Sequence, residues 1–168
     1  VIKTHSIERN KEAYMELQSH LKGIENVYLI DRRLSREDVY KLMYSVDAYV
    51  SLHRAEGFGL TVAESMYLGK PVISTNWSAT TEFLNQSNGC PVDFNLVELE
   101  KNFGPYTQGQ IWADPSSQHA AELMRKLFKD RKFAKDLGEK AAITIRNQFS
   151  PKIIGKIYEK RLKSFALW

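Results

Sequence analysis

The sequence holds 168 residues, 43% hydrophobic and 26% charged, the composition of a folded domain with a real core rather than of a disordered chain. Its formal net charge of +4 suits an anionic ligand and falls far short of the basic footprint of a dedicated nucleic-acid binder. No apolar run approaches the ~20 residues a membrane-spanning helix needs, and the single cysteine, Cys90, excludes an intramolecular disulfide or multi-cysteine metal site and fits a reducing, cytoplasmic compartment.

In chain order, short β-rich runs alternate with helical patterns, as in parallel βαβ units. Residues 1–4 read as a strand, and Ser6 as the cap of a helix over residues 7–22 closed by Gly23. Residues 27–30 form the next strand. Ser35, with Asp38 three residues on, opens a second helix as an acidic variant of the capping box. A strand at 48–52, a helix at 60–68 stopped by Gly69, and a strand at 71–75 follow. A short helix near 79–84 and a strand near 89–92 continue the pattern. Gly104, Pro105 and Gly109 punctuate residues 94–110 as a long loop.

The last third is helical: Ala120, Leu123 and Leu127, then Phe133, Leu137, Ala141 and Ile145, recur at helical spacing. Ser150-Pro151 marks a further helix start. Neither repeats nor an internal linker interrupt the chain, so the expectation is a single α/β domain over 1–168, a doubly wound parallel sheet with helices on both faces and a helical C-terminus. The chain opens inside a strand, and a parallel sheet needs both faces covered. A preceding βα unit and a longer natural protein are therefore expected.

The most informative stretch runs from His53 to Glu64, after a strand and into a helix. In open α/β sheets, ligands bind at such strand ends. Gly57 and Gly59 allow a backbone to approach a ligand closely. The helix start at Leu60 and Thr61 adds unpaired N–H groups and a positive dipole end, together an anion site suited to phosphate. Glu56 precedes the helix and Glu64 lies about 6 Å along its axis. Carboxylates only accept hydrogen bonds, so their partners here are hydroxyls. A phosphate between two hydroxyl acceptors describes a nucleotide sugar. Thr61, Glu64 and Ser65 form a polar stripe that could face a cleft. Against this stands the plain reading of a tight glycine turn and a solvated glutamate. A dinucleotide fingerprint would need a third glycine where Val62 stands.

The run Glu56-Gly57-Phe58-Gly59-Leu60-Thr61-Val62-Ala63-Glu64 matches the E-x7-E signature of GT4-type retaining glycosyltransferases. The stretches 26–30, 47–51 and 66–74, then Glu82 and Asn88-Gly89-Cys90-Pro91-Val92, resemble the C-terminal domain of that family in order. The resemblance implies a Rossmann-like, donor-binding half of a two-domain GT-B enzyme, whose N-terminal acceptor domain lies outside this chain. It implies that Glu56, the catalytic residue, accepts hydrogen bonds from donor-sugar hydroxyls and Glu64 from the ribose. Amides of Gly57, Phe58 and Gly59 would line sugar and phosphate, Leu60 and Thr61 would hold the distal phosphate, and Arg33 and Leu34 would meet the base. Arg33 departs from the family, where an apolar residue is commoner. Trp77-Ser78-Ala79-Thr80 replaces a more usual glycine-rich turn.

The implied activity is transfer of a sugar from a nucleotide-diphosphate sugar to a carbohydrate or lipid-linked acceptor, with retention. No cofactor or metal is expected: there is no Asp-x-Asp motif, and His5, His20, His53 and His119 show no metal spacing. Lys152, Lys156, Lys160 and Lys163 form a basic helical stripe, read first as a solvated face and second as a contact with the inner membrane surface. Two other functions fit the same site: a nucleotide-sugar-binding module without turnover, and a GT-B-type sugar-nucleotide epimerase.

Overall fold

A computed structural model of the chain describes residues 1–4, 7–104 and 106–165. His5, Ser6 (the expected helix cap) and Pro105 lie outside the described residues. The chain divides into two compact units, Val1–Leu42 and Met43–Trp168.

In the first unit, β1 (Ile2–Lys3) runs parallel to β2 (Leu29–Ile30). The Ile2 N–H to Tyr28 carbonyl bond (2.8 Å) and the Thr4 N–H to Ile30 carbonyl bond (2.9 Å) extend the pairing. The helix between them, α1 (Lys11–Leu21), starts later than expected because a 3-10 turn occupies Ile7–Arg9. Its cap is Asn10, whose Oδ1 accepts from the Ala13 N–H at 3.1 Å, satisfying a donor the helix cannot. Gly23, at φ +80°, follows the helix in the left-handed region. Next, α2 (Arg36–Ser45) opens as read: Ser35 Oγ accepts from the Asp38 N–H (3.1 Å) and donates to the Asp38 carboxylate (2.7 Å).

The second unit is built on β3 (Tyr49–Ser51), α3 (Leu60–Tyr67), β4 (Val72–Thr75) and β5 (Cys90–Val92). The strands lie in the order β3-β4-β5, all parallel. The short helix expected near residue 79 is a 3-10 turn, Ser78–Glu82. Residues 94–110 are not one long loop: β6 (Phe94–Glu98) and β7 (Ile111–Pro115) pair antiparallel, from Phe94 opposite Pro115 to Glu98 opposite Ile111. The glycines punctuate only the connection, where Gly104 and Gly109 take φ +58° and +85°. There the Phe103 and Tyr106 rings collect on Trp112, with centroids 5.3 and 6.0 Å away. That long-range packing pairs the strands, and no local periodicity announces it.

Three helices complete the unit: α4 (Ser117–Lys129), α5 (Arg131–Gln148) and α6 (Pro151–Ser164). Asp130 ends α4 and caps α5, accepting from the Phe133 N–H at 2.8 Å. Ser150 and Pro151 start α6 as read.

All four residues of β4 are buried, and its alternation sends neighbouring side chains to opposite faces. Val72 joins Val62, Met66, Phe83, Ala141 and Ile145 in one apolar cluster; Ile73 joins Cys90, Val92, Ala120, Leu127 and Leu137 in the other. Helix α3 thus covers one face, α4 the other, and α5 serves both. Each such side chain contributes roughly 1.5–3 kcal/mol by leaving water. Burial pushes the Cys90 thiol up to about 11, so it is an inert packing group.

Helix α5 passes close to the turn that ends α3 at two glycines. A Cβ on Gly138 would lie 2.1 Å from the Gly69 carbonyl oxygen, a backbone atom that cannot step aside. Gly155 in α6 has nothing within 4 Å of its Cβ position. Gly138→Ala is expected to destabilise the chain by about 3 kcal/mol, whereas Gly155→Ala should stabilise it by about 1 kcal/mol through helix propensity. Urea unfolding of both variants checks this; equal effects would contradict the packing described.

Candidate functional site

Parallel strands deliver their following loops to one end of the sheet, and here three such loops are bonded together. The loop after β3 meets the loop after β4 at two places. His53 Nε2 donates to the Trp77 carbonyl (3.0 Å). Ser78 Oγ accepts from the Glu56 N–H (2.9 Å) and donates to the Glu56 carbonyl (3.0 Å). The Asn76 N–H reaches the Val92 carbonyl at the end of β5 (3.0 Å). The β6–β7 hairpin is tied in through Arg54: its carbonyl accepts from the Ala113 N–H (2.9 Å), and its guanidinium lies 2.8 Å from the Asp114 carboxylate.

The turn into α3 depends on Gly59, which takes φ 86°, ψ 51° as the residue preceding the helix. A Cβ there would lie 2.5 Å from Thr80 Cγ2, so both the backbone conformation and the close approach demand glycine. Gly57 differs: its Cβ position meets nothing within 4 Å. No packing requirement of the chain accounts for the missing side chain, and the space beside the loop stays open. Between them, Phe58 turns its ring onto Phe83 and Phe149, with centroids 5.3 and 5.7 Å away.

Glycine at the cap position offers no side chain to the first amides of α3. The first helical bond runs from the Ala63 N–H to the Gly59 carbonyl (3.0 Å), and Leu60 and Thr61 are exposed. This end is therefore an uncapped, electropositive helix start. Glu56 and Glu64 are both half-buried and bracket it. Tyr49, on β3, donates to Thr61 Oγ1 (2.9 Å). Burial pushes the Tyr49 phenol above its ordinary range, and the Glu56 and Glu64 carboxylates add to the push.

Two expectations change. The polar stripe of α3 does not face a cleft as a unit, because Ser65 is fully buried and its Oγ has no partner among the described residues. The Trp77–Thr80 turn does its work without glycine: Ser78 itself takes φ 58°, a left-handed conformation that costs a serine roughly 1–2 kcal/mol. Arg33, exposed, and Leu34, half-buried, belong to the first unit, between β2 and α2. Tyr49 was not legible as a site residue, nor were the contacts by which His53 and Ser78 hold the loop, since each is placed by a partner 12 to 27 positions away. Among the described residues no group of three His, Cys, Asp or Glu is arranged to hold a metal ion.

The contrast between the glycines is testable. Gly59→Ala should lower the unfolding midpoint in urea, with a loss of about 2 kcal/mol or more. Gly57→Ala should leave it within about 0.5 kcal/mol. The reverse order of effects would contradict the geometry.

The family profile described as glycosyl transferases group 1 matches residues 8–144. The chain is 30% identical over 125 residues to the O-antigen biosynthesis glycosyltransferase WclY of Escherichia coli, an alignment covering 74% of this chain and 33% of that protein. Among solved structures, Anabaena Alr3699/HepE in complex with UDP and glucose superposes with a TM-score of 0.70 at 21% identity, covering 97% of this chain and 39% of that one. Sucrose-phosphate synthase (tll1590) from Thermosynechococcus elongatus superposes at 0.69 with 16% identity, covering 96% and 35%. At those identities the likeness is one of fold: α/β, with parallel strands between helices. The chain spans about a third of the length of the relatives it matches. With the profile covering residues 8–144, the chain belongs to the group 1 glycosyl transferases.

Proposed function

We propose that this chain is the C-terminal, donor-binding domain of a GT4-type retaining glycosyltransferase with GT-B architecture. In this reading it binds a nucleoside-diphosphate sugar, and the sugar passes to a carbohydrate or lipid-linked acceptor. The observation that carries it is the uncapped start of α3 at a strand end, bracketed by two half-buried carboxylates, Glu56 and Glu64. The family supplies the reaction class, and the complexes of Alr3699/HepE with UDP and with UDP-glucose supply a donor class to test first.

The amides of Leu60 and Thr61 take the distal phosphate, and those of Gly57, Phe58 and Gly59 line the junction of phosphate and sugar. As the anomeric carbon–oxygen bond breaks, negative charge grows on the departing diphosphate. Fixed N–H dipoles stabilise that charge without reorganising. Glu56 accepts hydrogen bonds from sugar hydroxyls and holds the anomeric carbon in register; Glu64 accepts from the ribose. The acceptor hydroxyl attacks from the face the phosphate leaves and gives its proton to the departing phosphate oxygen, which retains the configuration. No metal is needed where amides and a helix dipole neutralise the phosphate.

The acceptor site would lie in a further N-terminal domain, consistent with the third of its relative's length that this chain spans. The chain alone would then bind donor without turning it over. No helix among the described residues is long and apolar enough to cross a membrane. The α6 lysines, beside exposed Ile157, Tyr158 and Phe165, suit peripheral contact with an anionic inner surface.

Calorimetry with UDP, GDP and ADP in the presence of a chelator should give weak binding of one of them, unchanged by added Mg²⁺. Strict dependence on a divalent cation, or no binding, would sink this reading. In the parent enzyme, Glu56→Gln should lower turnover about 100-fold, while Glu64→Gln should weaken nucleotide affinity about tenfold. Unaltered kinetics in both variants would refute the assignments.

A further inference from the structure

Glu56 makes an unusual contact for a residue expected to work through its side chain: its backbone is held on both sides by one hydroxyl. Ser78 Oγ accepts from the Glu56 N–H at 2.9 Å and donates to the Glu56 carbonyl at 3.0 Å. A hydroxyl carries one proton, and the Glu56 carbonyl takes it. Ser78 therefore has no proton left for a ligand, and both of its hydroxyl bonds go to the protein.

The backbone of Ser78 sharpens the point. At φ 58° it occupies the region where glycine alone avoids a steric penalty. What serine adds over glycine there is a hydroxyl, and both bonds of that hydroxyl go to Glu56. A strained non-glycine residue beside a functional group is evidence that the side chain matters. The anchor for this reach is the preceding residue: the Trp77 carbonyl accepts from His53 Nε2 at 3.0 Å and from Thr80 Oγ1 at 3.2 Å. Gly57, next after Glu56, meets nothing within 4 Å at its Cβ position. With a free glycine on one side, Glu56 gains its fixed backbone from across the loop rather than from its own neighbour.

We infer that Ser78 is a positioning residue for Glu56: it fixes the backbone from which that carboxylate is aimed at the donor sugar, and does not itself touch the donor. This rests on the role proposed for Glu56. Once both polar groups of the Glu56 backbone are engaged, only side-chain rotation separates the carboxylate from its hydroxyl partners. Removing the clasp returns the rotations on both sides of its Cα.

Ser78→Gly is the informative variant, because it deletes the hydroxyl while relieving the left-handed strain, so the fold survives. The probes are the pairs UDP and UDP-glucose, GDP and GDP-mannose, and ADP and ADP-glucose, the measured quantity being the affinity ratio within whichever pair the chain binds. Ser78→Gly is expected to leave the diphosphate affinity within about twofold and to shift that ratio about tenfold against the sugar conjugate. Exchange of the Glu56 amide proton should speed up by at least about tenfold. Ser78→Ala should shift the ratio in the same direction. An unchanged ratio in Ser78→Gly, or an equal loss of both ligands, overturns the inference. Glu56→Gln separates the two levels: if it leaves the ratio unmoved, the Glu56 reading has failed and this inference with it. If Glu56→Gln moves the ratio and Ser78→Gly does not, only the role of Ser78 is refuted.

Discussion

The loop after β4 holds the loop after β3 at three successive points, and the site is arranged around that contact. His53 bonds to the Trp77 carbonyl, Ser78 clasps the Glu56 backbone, and Thr80 presses against Gly59 so closely that no side chain fits there. Between these points the chain can do little but turn sharply into α3. The consequence is a short segment that presents open space at Gly57, exposed positions at Leu60 and Thr61, and acids on either side. Preorganisation of this kind is what a site needs to stabilise charge that appears only during reaction.

The scaffold behind the contact is equally constrained. Strand β4 is buried on both faces, so its four residues can only be apolar or small, and α3 and α4 must cover opposite sides. Helix α5 then approaches the turn that ends α3, where Gly138 meets the Gly69 carbonyl at a separation only glycine at position 138 permits. The aromatic trio of Phe58, Phe83 and Phe149 links the glycine loop to the end of α5. The position of the loop is thus set by the core as well as by hydrogen bonds.

Features with local causes were legible in the sequence. Gly59 and Gly69 mark the two ends of α3, Ser35 with Asp38 starts α2, and Ser150-Pro151 starts α6; each signal lies within one turn of what it controls. Features with distant causes were not. The β6–β7 hairpin depends on strands paired across residues 99–110 and on rings gathered over Trp112. Ser78 is left-handed in a turn whose hydroxyl bonds go to Glu56, 22 positions earlier. Ser65 looked like part of a polar face and is fully buried, which helical spacing alone could not reveal on so short a helix. Asn10 displaced the helix start because a 3-10 turn took the residues before it. For the site, the motif identified the segment, while the residues that hold it in shape came from the fold.

In the proposed function, an anionic diphosphate docks on the backbone at the start of α3. Titrating the ¹⁵N-labelled chain with the nucleoside diphosphate it binds, and following amide resonances, tests this directly. The largest shifts are expected at Gly57, Phe58, Gly59, Leu60 and Thr61, with the N–H of Glu56 moving little because Ser78 already holds it. Saturable shifts confined to residues elsewhere, with these five amides unmoved, would contradict it.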